Sequence, residues 1–284
     1  VVIGSVAVVT GASSGIGRSI AVKFAQQGYS VVAHGFRNHD GIAKTLSQVA
    51  ESYEATKMAI LQATPQEFSK EFYNPESLAI FADVSDPSDV ERLVRDSFRW
   101  KGYVDVWVNC AGADVLTGEN RKQSFDEKLD VLWRTDVAGT IRVSRLVASQ
   151  MVLQVARASL PCIMNISWDQ SEHGMEGDSG QFFAATKAAV AAFSKSLAKT
   201  VAPQVRVNCI APGWIKTDWG NQASPEWDSR ARGESMLNRW GAPEDIANVA
   251  AALASPAMEF VNGQTIAVNG GWQPPNQCFV RIEN

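Results

Sequence analysis

Thr10-Gly11-Ala12-Ser13-Ser14-Gly15-Ile16-Gly17 follows directly on the apolar run Val6-Ala7-Val8-Val9 and opens into residues 15–27, whose apolar side chains recur with helical spacing. Glycines let the chain turn tightly and bring its backbone close to a ligand. A helix starting there points unpaired N–H groups and a partial positive charge back at the turn, which suits a pyrophosphate. A strand, a glycine turn and a helix in that order predict the first unit of a dinucleotide-binding fold.

Outward from this unit, short β-branched runs alternate with helix-periodic segments along the chain. Strands are predicted at 6–10, 30–35, 78–82, 105–109, 161–166, 205–210 and 265–268, and helices at 15–27, 40–53, 87–100, 122–155, 181–201 and 243–253. The strands are apolar throughout, as where both faces of a parallel sheet are covered. This is the α/β class: a doubly wound parallel seven-stranded sheet, a Rossmann fold, in a single domain over residues 1–284.

Hydrophobic residues make up 45% of the chain and charged residues 20%, enough apolar material for one sizeable core. The net charge of −4 argues against a nucleic-acid coat or a polybasic membrane patch. Apolar runs are strand-length, far below the roughly 20 residues that span a bilayer. Cys110, Cys162, Cys209 and Cys278 have no paired spacing, and the first three lie in apolar runs, so they read as buried thiols rather than a disulfide framework. With no basic leader before the first strand, a cytoplasmic location is expected. No metal-ligand spacing is present, so no metal is expected. Two segments break the alternation. Residues 56–77, with Phe68, Phe72 and Tyr73, read as a small packed insertion before the third strand. Residues 217–240 read either as a substrate lid or as a plain surface connection.

The motifs continue in order. Asp83-Val84 ends the third strand, Asn109-Cys110-Ala111-Gly112 ends the fourth, and Asn208 to Thr217, with Pro212, Gly213 and Ile215, ends the sixth. Trp240-Gly-Ala-Pro-Glu-Asp and Val261-Asn-Gly-Gln lie further on. Together with the opening TGxxxGIG pattern, these resemble the short-chain dehydrogenases/reductases over nearly the whole chain, with Cys110 where the family's NNAG motif has its second Asn. The resemblance implies a dinucleotide bound by Gly11, Ser13, Ser14, Gly15, Ile16, Gly17, Asp83, Val84, Asn109, Ala111, Gly112, Pro212, Gly213, Ile215 and Thr217. It also implies Lys187 at the nicotinamide ribose. Family members pair helices corresponding to 126–155 and 181–201, so a homodimer or homotetramer is expected on that ground.

The second strand ends Ala33-His34-Gly35-Phe36-Arg37-Asn38, with no carboxylate until Asp40. An acidic residue there would accept from a ribose 2′-OH. Arg37, with Arg18 or Ser14 beside it, suits a 2′-phosphate instead. NADP is the cofactor read from this, NAD less so; the alternative for Arg37 is a solvated surface side chain.

At the chemical end the chain departs from the family. Carbonyl reduction needs an alkoxide stabilised and then protonated. The family's Lys is present as Lys187, but its Tyr position is Phe183, its Ser position Trp168 and its Asn position Asp136. The four tyrosines are Tyr29, Tyr53, Tyr73 and Tyr103, so no shift of register restores the phenol. Trp168 offers one N–H donor or a pocket wall. Asp136, if near Lys187, would hold the ammonium protonated. Asp169, Glu172 and His173 are proton-capable replacements in the loop after the fifth strand, or simply an exposed polar loop. Trp168, Trp214, Trp219 and Trp227 point to an apolar or aromatic small-molecule substrate. Two functions fit. One is an atypical NADP-dependent oxidoreductase whose substrate, such as an imine or iminium, needs little acid assistance. The other is a catalytically silent, dinucleotide-binding regulatory or structural homologue.

Overall fold

A computed structural model describes residues 4–63 (backbone only for 61–63), 74–155, 157 and 159–274. Phe68, Phe72, Tyr73 and Cys278 lie outside the described residues. The strands are β1 (Val6–Val9), β2 (Ser30–Gly35), β3 (Ser77–Phe81), β4 (Val106–Asn109), β5 (Cys162–Ile166), β6 (Arg206–Pro212) and β7 (Thr265–Val268). They form one sheet in the order β3-β2-β1-β4-β5-β6-β7, and every pairing is parallel.

Successive strand residues face opposite sides, and each side has its own core. Ala7, Val9, Val31 and Ala33 pack with Ile20 and Phe24 of α1 (Gly15–Gln26), Ile42 and Val49 of α2 (His39–Ala63), and Ile246 of α10 (Pro243–Ala254). Val6, Val8 and Val32 pack with Leu93 of α3 (Pro87–Lys101), Val143 and Val147 of α5 (Thr140–Leu153), and Leu197 of α7 (Gly177–Val201). Covering both faces is why the strands carry no polar alternation. Each fully buried large side chain, such as Phe24 or Leu93, stabilises this arrangement by about 1.5–3 kcal/mol.

Three helices differ from the periodicity reading. Residues 40–53 are part of a longer α2, which runs on as far as Ala63 and takes in the first part of the segment read as an insertion. The helix read at 181–201 begins earlier, at Gly177. Residues 122–155 are not one helix. Gly118–Lys122 is a 3₁₀ turn, and α4 (Phe125–Leu132) starts only after Ser124, whose hydroxyl and backbone N–H exchange hydrogen bonds with Glu127 in a capping box. Trp133–Gly139 is then a π turn leading into α5. A Cβ on Gly139 would lie 2.7 Å from the Val84 carbonyl, so the turn approaches the end of β3 closely and only glycine fits there.

Beneath the carboxyl ends of the strands runs a buried polar seam. Trp107 Nε1 donates to Asn109 Oδ1, Asn109 Nδ2 donates to Ser144 and Asn165, and Asn165 Nδ2 donates to Ser194 Oγ. Asn109 is therefore held inside the molecule rather than presented to a ligand.

Candidate active site

The strand order reverses between β1 and β4, the place where open α/β sheets form a ligand crevice. Val9 pairs with Val108, so the two strands end together. Thr10 Oγ1 accepts from the N–H groups of Cys110 and Ala111, both at 3.0 Å. A Cβ on Gly11 would lie 2.8 Å from the Ala111 backbone, and one on Gly17 would lie 2.2 Å from the Gly11 carbonyl. The turn is closed tightly because both positions lack side chains. His34 holds it from below: its Nδ1 accepts from Gly11 N–H, and its Nε2 faces the Ala82 carbonyl at 3.0 Å. Burial pushes His34 down to about 4, so the ring is neutral and Nε2 carries the proton.

Above this turn lies a cleft of about 1060 Å³. Of the residues read as nucleotide-binding, Gly11, Ser13, Ser14, Gly15, Ile16, Gly17, Arg37, Asp83, Val84, Ala111, Gly112 and Thr217 line it. The first turn of α1 contains no acidic residue, and its N-cap Ser14 makes no side-chain cap bond, so the helix start is left open to an anion. Arg37 lies over the Phe36 ring, 4.5 Å from its centroid, at the end of β2. Arg18 is not among the lining residues. Its guanidinium is tied to Thr45 and to the Ser13 and Gly41 carbonyls. Asn109, Pro212, Gly213, Ile215 and Lys187 are not among the lining residues. Gly213 instead packs on Asn269 and Asp169, and Ile215 is buried beside Gly241.

The chemical end is organised by an ion pair. Lys187 Nζ lies 2.8 Å from Asp136 Oδ2, with side-chain exposures of 16% and 3%. Asp136 comes from the π turn, and its other oxygen accepts from the Ala113 N–H at 2.8 Å. Gly112 makes room for it, since a Cβ there would lie 2.9 Å from Oδ2. Burial opposes the ammonium charge, but the Asp136 carboxylate outweighs it and holds Lys187 above the ordinary lysine range. Cys110 sits close by, its thiol pushed up to about 12 by burial. Phe183 lines the cleft one turn before Lys187. Trp168 does not line it; its ring stands edge-on to Phe183, centroids 6.2 Å apart, and backs that wall.

The replacement acids lie elsewhere. Asp169 is 4% exposed, and one of its oxygens accepts from Asn269 Nδ2. Desolvation raises it to about 6. His173 is exposed and stacks on Trp272, rings 4.0 Å apart and nearly parallel. Glu172, on the same one-turn helix α6 (Gln170–His173), is likewise exposed. None of the three lines the cleft.

Several cleft residues had no motif to reveal them. Asp114, Thr117, Asn120 and Thr135 line it from the β4 side, and Trp219 and Gln222 from the β6 side. For Asp114, Thr117, Asn120 and Thr135 the one sequence signal is position, after the carboxyl end of a strand flanking the reversal, whereas Trp219 and Gln222 fall in the segment 217–240 already singled out. Residues 217–240 contain α8 (Asp218–Asn221) and α9 (Pro225–Gly233), and their Trp219, Trp227 and Trp240 cluster with Trp214 just before them, centroids 5.5–6.2 Å apart. Glu234, 3% exposed, anchors the cluster by accepting from Gln170, Trp214 and Arg230.

A family profile described as Enoyl-(Acyl carrier protein) reductase matches residues 58–273, and one described as short chain dehydrogenase matches residues 5–69. The chain is 34% identical over 269 residues to a 3-oxoacyl-[acyl-carrier-protein] reductase of Staphylococcus aureus, covering 93% of this chain and 96% of that one. It is 32% identical over 275 residues to a cyclohexanol dehydrogenase of Rhodococcus sp., covering 94% and 96%. Among solved structures, a variant of the actinorhodin polyketide ketoreductase with NADPH superposes with a TM-score of 0.75 at 25% identity, covering 94% of this chain and 96% of that one. With profiles that together match residues 5–273 and relatives above 30% identity that cover 93–94% of it, the chain belongs to the short-chain dehydrogenase/reductase superfamily.

Proposed function

We propose that this protein is an NADP(H)-binding oxidoreductase whose active site does not draw its proton from a phenol. The observation that carries the reading is the cleft itself: an open α1 start, a side-chain-free glycine turn and Arg37 at one end, Phe183 beside the Lys187–Asp136 pair at the other. The first three fit a dinucleotide with a 2′-phosphate, whose bidentate acceptor suits a guanidinium. NADPH, when bound, supplies a hydride. The glycine turn and the α1 N–H groups bind pyrophosphate, Asp83 and Val84 border the adenine, Thr217 orients the carboxamide and Lys187 bonds the ribose. Phe183 and Trp219 form apolar walls for a small substrate, and residues 217–240 serve as its lid. The relative crystallised with NADPH supports the cofactor choice. A homodimer or homotetramer is part of the same reading.

The position of Asp169, Glu172 and His173 off the cleft favours a second reading, a cofactor-binding member without redox turnover. Calorimetry with NADPH and NADH, followed by turnover assays on aldehydes, ketones, imines and enones, separates the two. NADPH is expected to bind more tightly than NADH. Arg37→Ala should weaken NADPH about 10–100-fold, the worth of a lost charge-assisted bond, and leave NADH within a few-fold. Binding without turnover on the whole panel would support the second reading; failure to bind either nucleotide would defeat both.

A further inference from the structure

We infer that the group reduced in this cleft is an iminium, a carbon–nitrogen double bond that already carries its positive charge, on a flat organic cation. The inference rests on the dinucleotide reading above and gives it a substrate class. Hydride addition to a carbonyl forms a C–H bond and pushes the π pair onto oxygen, and the alkoxide must then take a proton. Phe183 has none to give, and the Lys187 ammonium is hydrogen-bonded to Asp136 at 2.8 Å. Hydride addition to an iminium forms the same C–H bond, but the π pair becomes the lone pair of a neutral amine. NADPH is oxidised to NADP⁺, the iminium is reduced, and no proton moves.

Charge points the same way. An unpaired buried ammonium would repel a cation, whereas here the Asp136 carboxylate cancels it at contact distance. Among the described cleft-lining residues the charged side chains are Arg37 and Asp83, at the end assigned to the adenosine, and the carboxylates Asp114 and Asp218, which follow β4 and β6. The walls are aromatic. Phe183 and Trp219 line the cleft, and ring faces attract an organic cation by about 0.5–2 kcal/mol each.

The test uses two probes of similar shape, N-methyl dihydroisoquinolinium and α-tetralone, with NADPH occupancy established by calorimetry. Each rate is corrected for uncatalysed reduction. The rate enhancement for the iminium should exceed that for the ketone by about 10²–10⁴, the worth of a positioned acid, with no solvent deuterium isotope effect. Asp136→Asn, which leaves the ammonium uncancelled, should lower kcat/KM for the iminium tenfold or more without a matching loss for the ketone. Equal or greater enhancement for the ketone, or no iminium turnover by NADPH-loaded enzyme, overturns the inference and leaves the cofactor reading standing. Absence of NADPH binding brings down both.

Discussion

Phe183, Asp136 and Lys187 act as a set, and the effect of changing one depends on the others. A phenol at residue 183 becomes a useful acid only if a nearby positive charge lowers its pKa from about 10. With Asp136 cancelling Lys187, Phe183→Tyr alone should raise ketone reduction less than threefold. The double change Phe183→Tyr with Asp136→Asn should raise it at least tenfold, measured as kcat/KM for a ketone at saturating NADPH. Equal gains from the single and the double change would mean that the ion pair does not govern the site. Much of this set is legible through the family resemblance, which marks Phe183, Lys187 and Asp136 as the positions that matter, and the tyrosine positions then exclude a phenol. The environment of Asp169 is not. Its burial depends on the chain ends beyond β6 and β7, where Gly213 and Asn269 close over it. No local pattern encodes that approach.

At the scale of elements, the inner strands β1, β2, β4, β5 and β6 are readable because they are buried on both faces, so apolar continuity and strand coincide, while the edge strands β3 and β7 are mostly half-buried. Helix ends are readable where a cap is present: α3 begins at Asp86-Pro87, the Asp86 side chain accepting from Asp89 N–H, and ends at Gly102 with φ 84°. Between residues 54 and 59 of α2 no position is buried, so that stretch shows no apolar stripe. The π turn Trp133–Gly139 is unreadable for another reason, because its shape is set by contact with Val84, far away in sequence. That contact can be tested. Gly139→Ala puts a methyl group 2.7 Å from a backbone oxygen, so the turn must shift. A loss of about 1–3 kcal/mol is expected by chemical denaturation, as for other overpacked sites. Because Asp136 lies in the same turn, the Lys187 pair should loosen with it, and NADPH affinity should fall by several-fold. An unchanged unfolding midpoint would show that the turn is not held from β3.

For the whole molecule, one buried carboxyl joins the loop after β5 to the segment after β7. Asp169, raised to about 6 in the folded state, has an ordinary value of 3.8. Between those values the folded state binds more protons than the unfolded one, so this group makes stability fall as pH rises through the window. The cost is fully present above about pH 6 and amounts to about 3 kcal/mol. Asp169→Asn should remove it while keeping a partner for Asn269. The variant should be more stable than the parent at pH 7.5, and the difference should shrink toward pH 4, read from urea unfolding at each pH. A constant difference across that range would count against the assignment.

The amide-and-hydroxyl seam under the strand ends has a bearing on the reacting end as well. Ser194, its last member, lies about two helical turns beyond Lys187 on the same side of α7. By fixing Ser194 against Asn165, the seam sets how far that helix is rotated about its own axis, and hence the direction in which the lysine is aimed. Reach at the top of the sheet is thus calibrated from inside the core, by groups that do not line the cleft.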